Sequence, residues 1–87
     1  MAGEKRYILG VHIPNRVKQA PEIQKVLTEY GCFIRMRLGL HEARKDYCSG
    51  SGLILLEMVD GKKVSQLIRR IKQFKGVGIQ KMVFACD

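Results

Sequence analysis

The stretch Leu53-Ile54-Leu55-Leu56-Glu57-Met58-Val59 decides the fold. It is apolar on both faces except at Glu57. A strand of that kind sits in the middle of a sheet, with helices over one side and something else over the other. Asp60, directly after it, is a helix cap. Val64, Leu67, Ile68, Ile71 and Phe74 then recur at helical spacing across residues 61–75. Lys62, Lys63, Arg69, Arg70, Lys72 and Lys75 fill the rest of that helix surface. Gly76 stops the helix, and residues 77–85 alternate as a strand, with Val77, Ile79, Lys81 and Val83 opposed to Gln80, Met82 and Phe84.

The same order appears upstream, in residues 6–40. Residues 6–13 form a strand with Tyr7, Leu9, Val11 and Ile13 on one face and Ile8, Gly10 and His12 on the other. Pro14 cannot donate to a ladder and closes it, and Asn15 is a helix cap. The helix lies within residues 16–30, with Val17, Ala20, Ile23, Val26, Leu27 and Tyr30 as its apolar stripe. Pro21 requires either a start near residues 18–20 or a kink. Gly31 ends the helix. Residues 32–40 alternate, with Ile34, Met36, Leu38 and Leu40 expected on one face and Arg35 and Arg37 on the other, as on an edge strand. Residues 41–52 read as a long hairpin loop.

Two β-α-β units in 87 residues close most simply into a single α+β domain spanning residues 1–87. The expected form is a ferredoxin-like βαββαβ sandwich, a four-stranded antiparallel sheet with two helices on one face. The first and third strands are then central, and those are the two that are largely apolar on both sides. The other sheet face stays uncovered, carrying Ile8, Gly10 and His12 or their odd-numbered counterparts, together with Arg35 and Arg37. Apolar patches of several hundred Å² mark interfaces. A homo-oligomer, dimer or tetramer, through the open sheet face is the expectation.

Composition narrows the functional classes. A chain this short buries only roughly 60–65% of its unfolded surface, so 46% hydrophobic residues exceed what one thin core needs. No run approaches the roughly 18 apolar residues of a membrane span, and no leader pattern follows Met1, so a cytoplasmic protein without membrane partners is expected. Cys32, Cys48 and Cys86 are odd in number and lack CxxC spacing, which argues against a disulfide framework or a structural zinc site. Cys32 reads as a packed strand residue. The net charge of +8 favours polyanions or acidic surfaces as partners.

Several runs carry a family likeness: Asn15-Arg16, residues 23–31 (IQKVLTEYG) and residues 34–42 (IRMRLGLHE). Residues 52–57 (GLILLE), Gly76-Val77 and residues 81–84 (KMVF) extend it to nearly the whole chain. In these the chain resembles the regulators of the iron-only hydrogenase system, small stand-alone bacterial proteins. That family is similar to ACT domains and to the C-terminal domain of the nickel-responsive repressor, both ferredoxin-like and prone to pair through sheets or edges. The resemblance implies a regulatory, ligand-sensing or oligomerising module without a DNA-binding domain of its own. Two departures stand out. Val17-Lys18 replaces the Pro-Gly with which amino-acid-binding ACT domains continue after Asn-Arg, and the second neighbouring histidine of the nickel site is missing.

By analogy with ACT-like dimers, His12, Asn15 and Arg16, with Arg35, Arg37 and Gly39, are the candidate ligand-binding residues. Arginine there suits a carboxylate or phosphate, so a small anionic ligand is expected. The competing reading pairs Arg35 and Arg37 with Glu57 or a partner's acid. His41, Glu42 and Cys48 supply N, O and S donors for a metal, with His12 arriving from a neighbouring subunit; the alternative is a strand-end histidine and a loop thiol. No cofactor is called for. Ser49, Ser51 and Ser65 lack a histidine partner, and no glycine-rich anion loop follows the first strand, so no enzyme is expected. The alternative function is a basic nucleic-acid-binding module of the same fold, held by phosphate contacts. Three tyrosines and three phenylalanines, without an RNP-like run, are sparse material for a base-stacking sheet.

Overall fold

The structure, a computed structural model, describes residues 4–40 and 52–86. The chain runs β1 (Glu4–Ile13), α1 (Arg16–Glu29), a 3-10 turn (Gly31–Phe33), β2 (Ile34–Leu40), β3 (Gly52–Met58), α2 (Gly61–Ile71) and β4 (Gly78–Cys86). The strands form one sheet in the order β2-β3-β1-β4, every neighbouring pair antiparallel. This is the ferredoxin-like α+β arrangement, with β1 and β3 central as their two-sided apolar character predicts.

Register separates the two faces. Leu9 lies opposite Leu56, Val11 opposite Ile54 and Tyr7 opposite Met58. These residues and Ile13 point toward the helices, where Ile23, Val26 and Leu27 of α1 and Val64, Leu67 and Ile71 of α2 complete a buried core.

Local chemistry sets the element ends. The Asn15 side chain accepts from the Lys18 backbone N–H at 3.3 Å, while the Gln19 side chain accepts from the Asn15 N–H at 3.2 Å. That reciprocal cap starts α1 at Arg16, and Pro21 is accommodated inside the helix at the cost of one backbone donor. Asp60 caps α2 by accepting from the N–H groups of Lys62 and Lys63, at a φ of 74° that aspartate tolerates better than most side chains. Regular α2 ends at Ile71 rather than Lys75. The chain then turns through Gly76, whose φ of 75° suits glycine.

Two expectations for the second strand are corrected. Cys32 belongs to the 3-10 turn, not to a packed strand position, and is an exposed free thiol. Phe33 takes the inward place instead. It packs against the core, its carbonyl accepts from the Val59 N–H at 3.0 Å, and the Lys63 ammonium sits 5.1 Å from its ring centre. The second correction concerns side-chain direction. Ile34 lies opposite Met58, yet Met36 lies opposite Glu57, because a bulge at Arg35 inserts one unpaired residue. Beyond the bulge, Met36 and Leu38 share the open face with Glu57 and Leu55. Arg37 and Gly39 share the helix face with Leu56 and Ile54.

The helices are tied by a bidentate ion pair. Arg70 donates to both Glu29 carboxylate oxygens, at 2.7 and 3.0 Å. Its hydrogen bonds hold the Glu29 carboxyl below its ordinary range, and hydrogen bonds to Glu29 and Tyr30 hold the guanidinium above its own. A lowered folded pKa means stability that is present above the unfolded value and lost as pH falls through the folded one. Glu29→Gln should therefore melt below wild type at pH 7, with the gap closing on acidification below about pH 4.3. Added salt should shrink the gap, since both groups are solvated. A gap of equal size at pH 3 and pH 7 would remove the pair from the stability account.

Candidate functional site

The repeat places an edge strand beside each helix, and the α1 side opens a cleft of about 270 Å³. Arg16, Ala20 and Gln24 line it from the helix, spaced four residues apart so that they stack on one face. Gly39 and Gly52 line it from β2 and β3. The cleft exists because side chains are missing there: a Cβ on Gly39 would meet nothing within 4 Å, and Ala20 is short. Ile13 and Ile54 add apolar wall.

Arg16 is half-buried at this cleft, and Arg37 reaches it through Gln24, whose side-chain oxygen accepts from the Arg37 guanidinium. Arg37 is thus bound to a neutral amide, and among the described residues no acid compensates its charge or lines the cleft. Two guanidinium groups beside an apolar wall suit a small carboxylate or phosphate.

The expected ligand set is divided by the fold. Arg16 and Gly39 meet in the cleft, with Arg37 one contact behind. Asn15 is engaged in capping α1, and Arg35 sits exposed in the bulge and does not line the cleft. His12 is on the opposite sheet face. There it borders a hollow of about 420 Å³ with Leu53 and Gln80, opened by the bare backbones of Gly10 and Gly78. Gln24, Ala20 and Gly52 were not singled out by sequence reasoning. The four-residue spacing from Arg16 was the available signal for the first two. His41 and Cys48, with Glu42, lie outside the described residues; among those described, no cluster of three or more His, Cys, Asp or Glu could hold a metal.

The open sheet face is the second functional feature. Met36, Leu38, Leu53, Met82 and Phe84 are exposed on it, with Leu38 47%, Met82 56% and Phe84 53% accessible. Ile8 and Leu55 lie half-buried among them. Among the described side chains, the charged residues that the two central strands place on this face are Arg6 and Glu57. Arg6 Nε donates to Glu57 at 2.6 Å, and Glu57 is only 8% exposed. Glu57, foreseen as a partner of Arg35 or Arg37, is paired by Arg6 instead. The face is apolar and internally neutralised on a chain of net charge +8.

Among the described residues no helix is long and apolar enough to cross a membrane. No protein-family model matches the chain, and no curated protein matches it in sequence. Solved structures do. An uncharacterised Thermotoga maritima protein superimposes with a TM-score of 0.76 at 20% identity, over 93% of this chain and 98% of that one. The ACT domain of the Chlorobium tepidum GTP pyrophosphokinase gives 0.65 at 15%, over 91% and 99%. CPII, a nitrogen regulatory PII-like protein from Thiomonas intermedia bound to ADP, AMP and bicarbonate, gives 0.59 at 11%, over 95% and 96%. At these identities the likeness establishes the fold alone, the ferredoxin-like α+β arrangement seen in ACT and PII-like domains.

Proposed function

We propose that this chain is a small, non-enzymatic, cytoplasmic regulatory module that associates with copies of itself through the open sheet face and senses a small anionic ligand in the α1–β2 cleft. The observation that carries this reading is the pairing of an exposed, charge-neutral apolar sheet with a ligand-sized cleft holding Arg16. The PII-like structure of the same fold is bound to ADP, AMP and bicarbonate, all small anions. Service to the iron-only hydrogenase system rests on the resemblance of residues 15–16, 23–31 and 34–42 to that regulator family. One observation weighs against the nucleic-acid alternative. Tyr7, Tyr30, Phe33 and Phe74 pack in or against the core, leaving Phe84 as the aromatic ring on the open face among the described residues. Base-stacking sheets need two or three such rings.

The ligand is sought by thermal denaturation in the presence of amino acids, dicarboxylates and bicarbonate. A true ligand at one hundred times its Kd stabilises by about 2.7 kcal/mol, a rise of roughly 10–20 °C in a domain of this size. That rise should vanish in Arg16→Ala. A panel that shifts nothing, or a shift that survives Arg16→Ala, would remove the cleft from the functional account.

A further inference from the structure

We infer that the cleft between α2 and β4 is a second anion site, built for a small molecule that carries phosphate on an apolar body. It is distinct from the α1–β2 cleft and does not depend on it. The internal repeat makes it the counterpart of that cleft, since β4 is to α2 what β2 is to α1, the edge strand beside the helix. Its volume is about 380 Å³, within the range of small-molecule sites.

Its chemistry is more strongly cationic than that of the first cleft. Ser65 and Arg69 stand four residues apart on α2, Lys72 follows as its C-cap, and Lys81 lines the cleft from β4. Ile68 and Ile79, both half-buried, give it an apolar floor. No acid lines it. Lys81 also breaks a pattern: it lies opposite Leu9 on the helix-facing side of β4, in a row otherwise occupied by Ile79 and Val83. An apolar residue there would have extended the core.

Several other cations have acidic partners: Arg6 pairs with Glu57, Arg70 with Glu29 and Lys25 with Glu22. Among the described residues, Arg69, Lys72 and Lys81 make no side-chain hydrogen bond or ion pair. Three uncompensated positive charges around one cleft repel each other, and like charges three residues apart on a helix are already unfavourable. A phosphate dianion relieves that repulsion better than a monocarboxylate, with guanidinium and ammonium as charge-assisted donors and the Ser65 hydroxyl as a neutral one. The Ile68–Ile79 floor takes the organic part. A nucleic-acid backbone would need a long basic groove rather than a short cleft with an apolar floor.

The test is calorimetric titration with phenyl phosphate and with inorganic phosphate, alongside NMR shift mapping. Phenyl phosphate should saturate one site, bind about tenfold tighter than inorganic phosphate through burial of its ring, and move the signals of residues 65–72 and 79–81. The Lys72→Ala/Lys81→Ala double variant should weaken it about tenfold or more, while Lys72→Arg/Lys81→Arg keeps binding. Lys18→Ala/Lys62→Ala removes the same charge elsewhere and should change affinity less than about threefold. All four lysines are exposed, so the variants should fold. Equal losses in the two alanine doubles, or no saturation, would overturn the site. So would a single-stranded oligonucleotide that needs Lys72 and Lys81 while phenyl phosphate fails to bind.

Discussion

Leu56→Ala is expected to melt some 10–25 °C below the wild-type domain. Leu56 has no accessible surface and lies on β3, a central strand, opposite Leu9 of β1 and Arg37 of β2 on the helix-facing side. Truncating a leucine in such a place removes its transfer free energy and leaves a cavity, about 2–5 kcal/mol together. A domain of this length has only about 4–13 kcal/mol in all, and a thin core offers few neighbours able to collapse into the gap. The informative control is the adjacent residue. Leu55 points to the open face and is half-buried, lying over Gly10, where an added Cβ would stand 3.7 Å from the leucine methyl. Leu55→Ala should cost less than about 1.5 kcal/mol in dilute protein, and the proposed self-association predicts a larger cost as concentration rises. Circular dichroism melts at two concentrations separate the two variants. Equal losses at high dilution would mean that the open face is packed within the monomer.

The second large effect is on association. Leu38→Glu/Met82→Glu places two carboxylates at opposite edges of the open face, on β2 and β4, with Glu57 already between them on β3. In a face-to-face dimer that makes four new buried acids, and unpaired charge in an interface costs several kcal/mol. The dimer Kd should rise by a factor of about 100 or more. The monomer should lose little, since both positions are about half accessible and surface changes there stay near 0.5 kcal/mol. Gel filtration should show a smaller particle with an unchanged far-UV spectrum. An unchanged elution volume would place the interface elsewhere.

Most of the fold could be read in the sequence because apolar spacing reports burial directly. LILLEMV announced a central strand, and the alternation of residues 77–85 survives intact in β4. The second strand shows where such reading stops. Period-2 alternation assumes an unbroken ladder, and the bulge at Arg35 inverts every side chain after it. Met36 and Leu38, expected with Ile34, instead supply the open face, and Arg37 turns to α1. The open face is consequently more apolar than the sequence implied, which strengthens the case for self-association. The candidate site was legible in its charges but not in its grouping. Arg16 and Gly39 converge, while His12, adjacent in the strand to Ile13, projects to the other side of the sheet. Gln24 joined the site only when helix and strand were brought together. Cys32 misled because a 3-10 turn and a strand end look alike when apolar residues flank both.

The proposed burial of the open face would account together for the apolar surplus and for the paired Arg6 and Glu57. It also reconciles self-association with a net charge of +8, because a face-to-face pair keeps the basic helix layers apart and in solvent, where salt screens them. The decisive measurement is the solution mass of the wild-type chain by light scattering, at low and high salt and across a dilution series. The account predicts at least twice the 9.9 kDa chain mass, unchanged or strengthened by salt, since the interface is apolar and neutral. A 9.9 kDa particle at every salt and concentration would contradict it.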